Sequence, residues 1–133
     1  MIMSQAKFRF VWTVGGATLI ALAVILPRVV SSSSDTVREI HLVARDMAYH
    51  LDGQNDPNPT LHISRGEHVR IRLSNRDPGM SHDFGVRAWK KGTGLIEGPG
   101  DAVVEFTAPD VPGDAAYACT PHGEMMRGTI RIE

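Results

Sequence analysis

The residues with the clearest chemical potential lie in one short segment near the C terminus. Cys119, His122, Met125 and Met126 place a thiol, an imidazole and two thioethers within eight residues. Soft sulfur donors together with a borderline nitrogen donor suit copper better than hard cations such as magnesium or calcium. The segment therefore predicts a transition-metal site whose donor set favours copper.

His82 is the candidate for a further donor from outside this segment. It is spaced evenly from Phe84 and Val86, so an alternating strand would place all three side chains on one buried face. An imidazole that points inward beside apolar neighbours needs a polar partner. A shared metal ion would supply that partner.

Each of these residues also has a purely structural interpretation. Cys119 is the only cysteine, so it forms no intramolecular disulfide, and a free cysteine commonly packs as a small buried hydrophobe. His82 could be a core histidine that bonds to another side chain. Zinc also accepts cysteine and histidine, so a zinc-stabilised interaction domain is a further alternative.

The segments that must position these donors are predicted to form β-strands. From Val37 onward apolar and polar residues alternate with period two, most clearly at Val69, Ile71 and Leu73. Turn-forming residues at 77–79, 98–100 and 109–113 separate the apolar runs. Short strands with frequent turns indicate an all-β sandwich or barrel.

The same motifs resemble those of a known family. The loop at 75–84 with its histidine, the run from Cys119 to His122 and the run from Met126 to Gly128 are similar to the cupredoxins, the small blue-copper proteins. The resemblance extends from about Arg38 to Glu133. It implies a Greek-key β-sandwich that holds one copper ion, which cycles between Cu(I) and Cu(II). It further implies a ligand set of His82, Cys119, His122 and one of the two adjacent methionines.

The choice between the two methionines rests on the start of the last strand. In the family, the axial methionine usually precedes a glycine by two positions, and here Met126 precedes Gly128. We therefore predict Met126 as the axial ligand, with Met125 as the alternative. Asp83 departs from the asparagine common in relatives at this position, and its charge is expected to lower the reduction potential.

The N-terminal part predicts a membrane anchor. No charge occurs over residues 10–27, enough for a helix of roughly 27 Å, and Lys7 and Arg9 precede it. The positive-inside rule keeps the basic head, residues 1–9, in the cytoplasm. A serine-rich linker, 28–36, would join this single transmembrane helix to a copper domain, 37–133, on the periplasmic side. A cleaved signal sequence is the alternative for 10–27.

Composition and charge exclude several classes of protein. A hydrophobic content of 42% and a charged content of 22% exclude a disordered chain, and a net charge of −1 argues against a nucleic-acid partner. A dinuclear copper site of the oxidase type needs two cysteines. This chain has one, so that type of site is not expected. No residue pattern indicates an enzyme or a small-molecule substrate.

The predicted function is that of a membrane-tethered blue-copper carrier. It would carry single electrons between respiratory partners, such as a cytochrome and a terminal oxidase or reductase. Storage or delivery of copper is the alternative.

Two further expectations concern the surface of the domain. Trp89, Lys90 and Lys91 are best explained as a solvated charged loop with one anchoring aromatic residue, and a docking surface is the alternative. His50 follows Tyr49 in a polar stretch, so it is expected to be exposed to solvent.

Overall fold

A computed structural model of the chain describes residues 36–133. The predicted basic head, membrane anchor and nearly all of the linker lie outside these residues. Within 36–133 no helix is both long enough and apolar enough to cross a bilayer. The strands are β1 (Arg38–Arg45), β2 (Ala48–Leu51), β3 (Leu61–Ile63), β4 (His68–Asn75), β5 (Ser81–His82), β6 (Gly85–Val86), β7 (Lys91–Gly92), β8 (Ile96–Glu97), β9 (Gly100–Thr107), β10 (Gly113–Ala118) and β11 (Arg127–Ile132), with one short 3₁₀ turn at Arg87–Trp89.

The strands form two main sheets that enclose a single core. One sheet has the order β2-β1-β4-β9 and the other β3-β11-β10-β6-β7, while β5 and β8 form a separate two-stranded ribbon. β1 pairs in parallel with β4, and β3 pairs in parallel with β11; the other pairings are antiparallel. The predicted all-β sandwich is confirmed for the described residues.

The alternation seen in the sequence explains how the sheets face each other. In β4, Val69, Ile71 and Leu73 are fully buried, while the intervening side chains are at least partly exposed. Successive side chains of a strand point to opposite faces, so this pattern turns one face of the sheet toward the core. Each fully buried aliphatic side chain stabilises the fold by about 1.5–3 kcal/mol through burial of its apolar surface.

Three aromatic rings fill the end of the core that lies beneath the donor cluster. The Tyr117 ring lies 5.3 Å from Tyr49 and 5.2 Å from Phe84, measured between ring centroids. The Tyr117 hydroxyl donates to the carbonyl of Pro59, and the Tyr49 hydroxyl donates to the carbonyl of Asp83. Burial raises the pKa of both tyrosines, so both hydroxyls stay protonated as donors. The Tyr49 bond ties the core to the segment that carries His82, and the Tyr117 bond ties it to the chain before β3.

The second strand differs from the sequence expectation. His50 is only 6% exposed, so the expectation of an exposed side chain was wrong. Ala48, Tyr49 and His50 are all buried, because the chain after β2 folds back over it. The carbonyl of Asn55 lies 3.1 Å from His50 Nδ1, and the Asn58 amide donates to the carbonyl of Tyr49. Because both faces of this strand are covered, its side chains do not alternate between buried and exposed positions.

One strand pairing brings the two predicted ligand loops together. Ala118, at the end of β10, pairs with Gly85, at the start of β6. His82 and Asp83 precede Gly85, while Cys119 and Thr120 follow Ala118. The pairing therefore places the two segments side by side, although they are distant in sequence. The alternating run predicted from His82 to Val86 is interrupted between β5 and β6, yet His82, Phe84 and Val86 are all buried.

Candidate metal centre

Three predicted donors converge at one end of the sandwich. The Sγ atom of Cys119 lies 3.8 Å from His82 Nδ1 and 3.7 Å from His122 Nδ1. The donor atoms of the three residues all lie within 4.8 Å of one another. Cys119 is 1% exposed and His82 is fully buried, whereas His122 is half-buried. The sequence prediction that these residues meet is therefore matched by the structure.

The separations between donors fit a single ion held in a trigonal plane. Typical metal–sulfur and metal–nitrogen bonds of about 2.3 Å and 2.05 Å, set at about 120°, put the two donor atoms about 3.8 Å apart. The observed sulfur-to-nitrogen distances are 3.7 and 3.8 Å. Both rings present Nδ1 to the sulfur, so these are the nitrogen atoms that would hold an ion.

The turn from Cys119 to Met126 is closed by its own backbone. The Cys119 amide donates to the carbonyl of Met126 at 3.0 Å, and the Met126 amide donates to the carbonyl of His122 at 2.9 Å. The turn joins β10 to β11, whose antiparallel pairing fixes the positions of both its ends. A short hairpin loop therefore holds the thiol, the second imidazole and a methionine in one place.

The two methionines have opposite environments. Met126 is fully buried, whereas Met125 is 55% exposed and its carbonyl accepts a hydrogen bond from Asn58 Nδ2. Gly128, the second residue of β11, leaves room for the Tyr117 ring, because a Cβ there would clash with that ring. Met126 lies near the cluster, which supports its selection over Met125. Its role as a ligand stays a prediction.

A carboxylate holds His82 from the side opposite the sulfur. Asp77 Oδ2 lies 2.9 Å from His82 Nε2, so Nε2 bonds to this carboxylate while Nδ1 faces Cys119. The same carboxylate accepts hydrogen bonds from the backbone amides of Asp46 and Met47. A carboxylate on the outer nitrogen of a metal-binding histidine fixes both the tautomer and the ring orientation.

The charge state of Asp77 suits this role. Burial alone would raise the pKa of the Asp77 carboxyl. The amides of Asp46 and Met47 and the His82 ring outweigh burial, so the pKa lies below its ordinary value. The group is therefore an anion at neutral pH and acts as an acceptor from the His82 ring.

Asp83 links the two segments of the site. Its Oδ1 accepts a hydrogen bond of 2.6 Å from the Thr120 amide. This bond joins the segment that carries His82 to the segment that carries Cys119. The Tyr49 hydroxyl bonds to the Asp83 carbonyl, so the residue is fixed through its main chain as well.

The thiol of Cys119 is held in its neutral form by the protein alone. Burial is the main cause that raises its pKa, and it is opposed in part by the backbone N–H groups of Asp83 and His122. The negative charge of Asp83 raises the pKa further. A bound cation reverses this balance, because a coordinating thiol loses its proton. The pocket is thus arranged for a thiolate only when positive charge is present.

Asp77 and Asn75 are the supporting residues that sequence reasoning missed. Asn75 is fully buried, and its Nδ2 donates to the carbonyls of Met80 and Ile96. Its Oδ1 accepts from the Asp77 amide at 2.9 Å. The only sequence signal was a carboxylate five residues before His82, in a turn where aspartate is common anyway.

Comparisons with known proteins identify the fold. No family model matches the sequence, and neither does any curated protein. Auracyanin A, a blue copper protein from the green thermophilic photosynthetic bacterium Chloroflexus aurantiacus, is 20% identical, with a TM-score of 0.59; the match covers 74% of this chain and all of auracyanin.

Two further solved structures extend the likeness. An oxidised point mutant of amicyanin is 25% identical, with a TM-score of 0.50, and the match covers 77% of this chain and 88% of amicyanin. A chain of a heme-copper terminal oxidase dimer is 16% identical, with a TM-score of 0.56, over 76% of this chain and 68% of that one. The described residues thus have the cupredoxin fold, which confirms the resemblance at the level of the fold.

Proposed function

We propose that this protein is a blue-copper electron carrier. His82, Cys119, His122 and Met126 would hold one copper ion, which alternates between Cu(I) and Cu(II) as single electrons arrive and leave. The observation that carries the proposal is the convergence of one sulfur and two Nδ1 atoms at 3.7 and 3.8 Å. The cupredoxin fold, which auracyanin shares, supports the same assignment.

The donor chemistry favours copper over zinc. Two imidazoles, a thiolate and a weak axial thioether are the ligands of blue-copper sites, whereas structural zinc sites are closed by four nitrogen or strong sulfur donors. Only three such donors cluster within residues 36–133. The remaining contact would come from Met126, a donor that suits copper and not zinc.

The burial of the site supports electron transfer in preference to catalysis. Metal-assisted catalysis needs an open coordination position for substrate. Here the predicted donors Cys119, His82 and Met126 have almost no exposed surface, and His122 covers the remaining side. An ion enclosed in this way can change charge without changing ligands. We therefore propose no enzymatic activity.

Burial also distinguishes the carrier from a delivery protein. A protein that hands copper to a partner must let the partner's ligands approach the ion. Two predicted donors are completely buried, and Asp77 fixes one of them by a bond of 2.9 Å. Such a site is expected to release copper slowly.

His122 provides one path for an electron to reach the surface. Its Nδ1 faces the sulfur and its ring is half-buried, so part of the ring is in contact with solvent. Pro121, beside it, is exposed, and no bulky side chain follows until Glu124. A redox partner could therefore approach this ring closely.

The direct test is a potentiometric titration of the copper-loaded full chain. We expect a single one-electron Nernstian wave, with an intense visible band in the oxidised form that disappears on reduction. A redox-silent protein with a tightly bound ion would contradict the carrier role. A colourless protein that holds only Cu(I) would favour storage or delivery.

We also propose that the carrier is tethered to the cytoplasmic membrane, with the copper domain on the periplasmic side. The support is the uncharged run at 10–27 after Lys7 and Arg9. A tether would raise the effective concentration of the carrier near membrane-bound respiratory partners such as a cytochrome and a terminal oxidase or reductase.

The tether is tested by extracting membranes with alkaline carbonate. Leu19→Arg places a charge in the middle of the apolar run, at a cost of about 2.5–3.5 kcal/mol for insertion. We expect the wild-type chain to stay with the membrane and Leu19→Arg to shift toward the soluble fraction. Ser33→Arg, in the serine run, is the matched control. Full extraction of the wild-type chain would contradict the membrane anchor. It would favour the alternative, in which residues 10–27 are a cleaved signal sequence.

A further inference from the structure

A groove opens beside the predicted copper site, and His122 is not among the residues that line it. Its volume is about 650 Å³. Small residues of β6 and β10, namely Gly85, Ala116 and Ala118, leave its floor free of large side chains. Its lining reaches Cys119 and Thr120. A predicted ligand residue therefore forms part of the wall of the groove.

Four basic side chains border this groove. Arg87, Lys90, Lys91 and Arg127 all line it, and all four are at least partly exposed. Among the described residues, Glu124 is the only carboxylate in the lining. The domain as a whole has the opposite balance, since residues 36–133 hold 11 basic and 14 acidic side chains. The groove is a local concentration of positive charge on an acidic domain.

These cations differ from the other basic residues of the domain in having no ion-pair partner. Six arginines of residues 36–133 form ion pairs with carboxylates: Arg38, Arg45, Arg70, Arg72, Arg76 and Arg131. The four cations of the groove make no such pair within the described residues, and Arg65 is the one other unpaired arginine there. Unpaired cations leave a positive potential that is available to a partner.

The loop that carries three of the cations is anchored. Trp89 packs against the core, with its ring 5.3 Å from Phe106. The Lys90 amide donates to the carbonyl of Arg87 at 3.1 Å, and Lys91 pairs with Val86 in the sheet. Trp89 is thus the anchoring residue that the sequence suggested. The main chain beneath the charges is held in place, so binding a partner would cost little ordering of the loop.

We propose that this groove, termed the basic groove, docks an acidic protrusion on a redox protein partner. The inference rests on the proposed electron transfer and adds a partner class and a second docking surface to it. One electron would pass from Cu(I) by way of Cys119 to the oxidised centre of the partner, which yields Cu(II) and the reduced partner. No atom is transferred, and no bond forms or breaks.

The charge of the basic groove acts on the orientation of a partner and on the rate of association. The full chain has a net charge of −1, so an acidic partner is repelled weakly by the molecule as a whole. Four unpaired cations around one concave site attract such a partner only when the groove faces it. Complementary charge of this kind steers encounter and speeds association more than it raises affinity.

The test uses hexacyanoferrate(III), an anionic one-electron oxidant, with the reduced, copper-loaded full chain in non-ionic detergent. Stopped-flow rate constants are measured from about 0.01 M to about 1 M ionic strength, over which the Debye length falls from roughly 30 Å to 3 Å. We expect the rate constant to fall as salt rises, because an anion is attracted to the groove. A rate constant that is constant or rises with salt would contradict the proposal.

The matched variants are Lys91→Glu and Arg65→Glu, which change the net charge equally. The Arg65 amide bonds to the carbonyl of Glu133, beyond β11, whereas Arg127 begins that strand. The two ends of β11 are therefore roughly 20 Å apart at the usual rise per residue of a strand. At low salt we expect Lys91→Glu to slow the reaction by about three- to tenfold and Arg65→Glu to leave it nearly unchanged. Equal effects would show that only net charge matters and would overturn the proposal.

A competition experiment separates a docking surface from a site for small anions. Short poly-L-glutamate should slow the oxidation of the wild-type chain and have little effect on Lys91→Glu. Failure of the polymer to compete with the wild-type chain would leave only a small-anion site and overturn the proposal. A protein with no visible band, or with no electron transfer to hexacyanoferrate, would instead overturn the proposed carrier function itself.

Discussion

The turn from Cys119 to Met126 supplies three of the four predicted donors within eight residues, whereas the segment from Asn75 to His82 supplies only one. The turn is held by backbone hydrogen bonds of its own and by the strands on either side. The His82 segment pairs only in the short β5–β8 ribbon, and side chains, chiefly Asp77 and Asn75, hold the rest of it.

This difference indicates that the two segments contribute to the site in different ways. The turn determines which donor atoms are present and how they are spaced. The His82 segment contributes one donor whose position depends on residues that never touch the ion. Changes in the turn should therefore alter the spectrum and the potential, while changes around His82 should mainly alter how tightly copper is held.

The largest expected effect is loss of copper on removal of either histidine. His82→Gly and His122→Gly should each lower copper affinity by more than about 100-fold, a larger loss than removal of a supporting residue causes. Free imidazole should restore the visible band in His122→Gly, because that ring is half-buried and its space opens to solvent. It should not do so in His82→Gly, because that position is fully enclosed.

Absorption spectra with added imidazole, together with thermal unfolding of each variant, check this contrast. Unfolding of either variant would show that the histidine supports the core and is not a ligand. Equal restoration of both would remove the difference between the two segments.

The next largest effect is expected from Asp77→Asn. The amide keeps the shape of the side chain but weakens its bond to the His82 ring, so copper affinity should fall by about 10- to 100-fold. The visible band of the loaded protein should change little, since no donor is lost. Competition with a copper chelator measures the affinity. Asp56→Asn, at an exposed position, is the control, and an equal loss there would contradict the role of Asp77.

Met126→Leu tests the turn. Loss of the axial thioether should raise the reduction potential by an amount on the order of 100 mV, while the site stays coloured. The swap nearly conserves volume, so the stability should change by less than about 1.5 kcal/mol. Voltammetry measures the potential. Met125→Leu is the matched control, and a larger shift in that variant would reverse the choice of axial ligand.

The smallest effect is expected from Asp83→Asn. The asparagine could keep the bond to the Thr120 amide, so only the negative charge near the sulfur is removed. Cu(II) is then stabilised less, and the potential should rise by tens of millivolts, roughly the scale of a partly screened charge. Voltammetry of the two proteins under the same conditions measures the shift. An unchanged potential would show that the charge of Asp83 does not act on the ion.

The same comparison shows how much of the site the sequence could predict. Three of the predicted donors lie close together in the chain, namely Cys119, His122 and Met126. Their spacing in the sequence was therefore enough to predict that they meet. Gly128 indicated where the last strand begins, and the strand starts one residue earlier, at Arg127; the Tyr117 ring leaves no room for a side chain at position 128. Short-range spacing translates directly into geometry when both ends of a turn are fixed by paired strands.

Interactions that depend on the shape of the turn after β4 were harder to predict. His82 was placed by alternation with Phe84 and Val86, but nothing in the sequence showed that Asp77 would meet its Nε2 atom. The contact depends on how the turn after β4 folds back, which long-range packing decides. Asn75, buried under the same turn, was missed for the same reason.

The fold was predicted as a class and only partly in detail. Alternation predicted β4 and the sandwich correctly, because one face of that sheet is buried and the other is not. It misjudged His50, since the chain after β2 covers the second face of that strand. It also gave no sign of the β5–β8 ribbon, whose strands of two residues are too short to show a period.

The central claim is that Cys119 binds copper together with the two histidines, and the visible spectrum tests it most directly. The full chain is loaded with Cu(II), its metal content is measured by mass spectrometry, and its spectrum is compared with that of Cys119→Ser. We predict one copper per chain and an intense thiolate-to-copper band that Cys119→Ser lacks. A Cu(II)-loaded wild-type chain without this band, or an unaltered band in Cys119→Ser, would contradict the account.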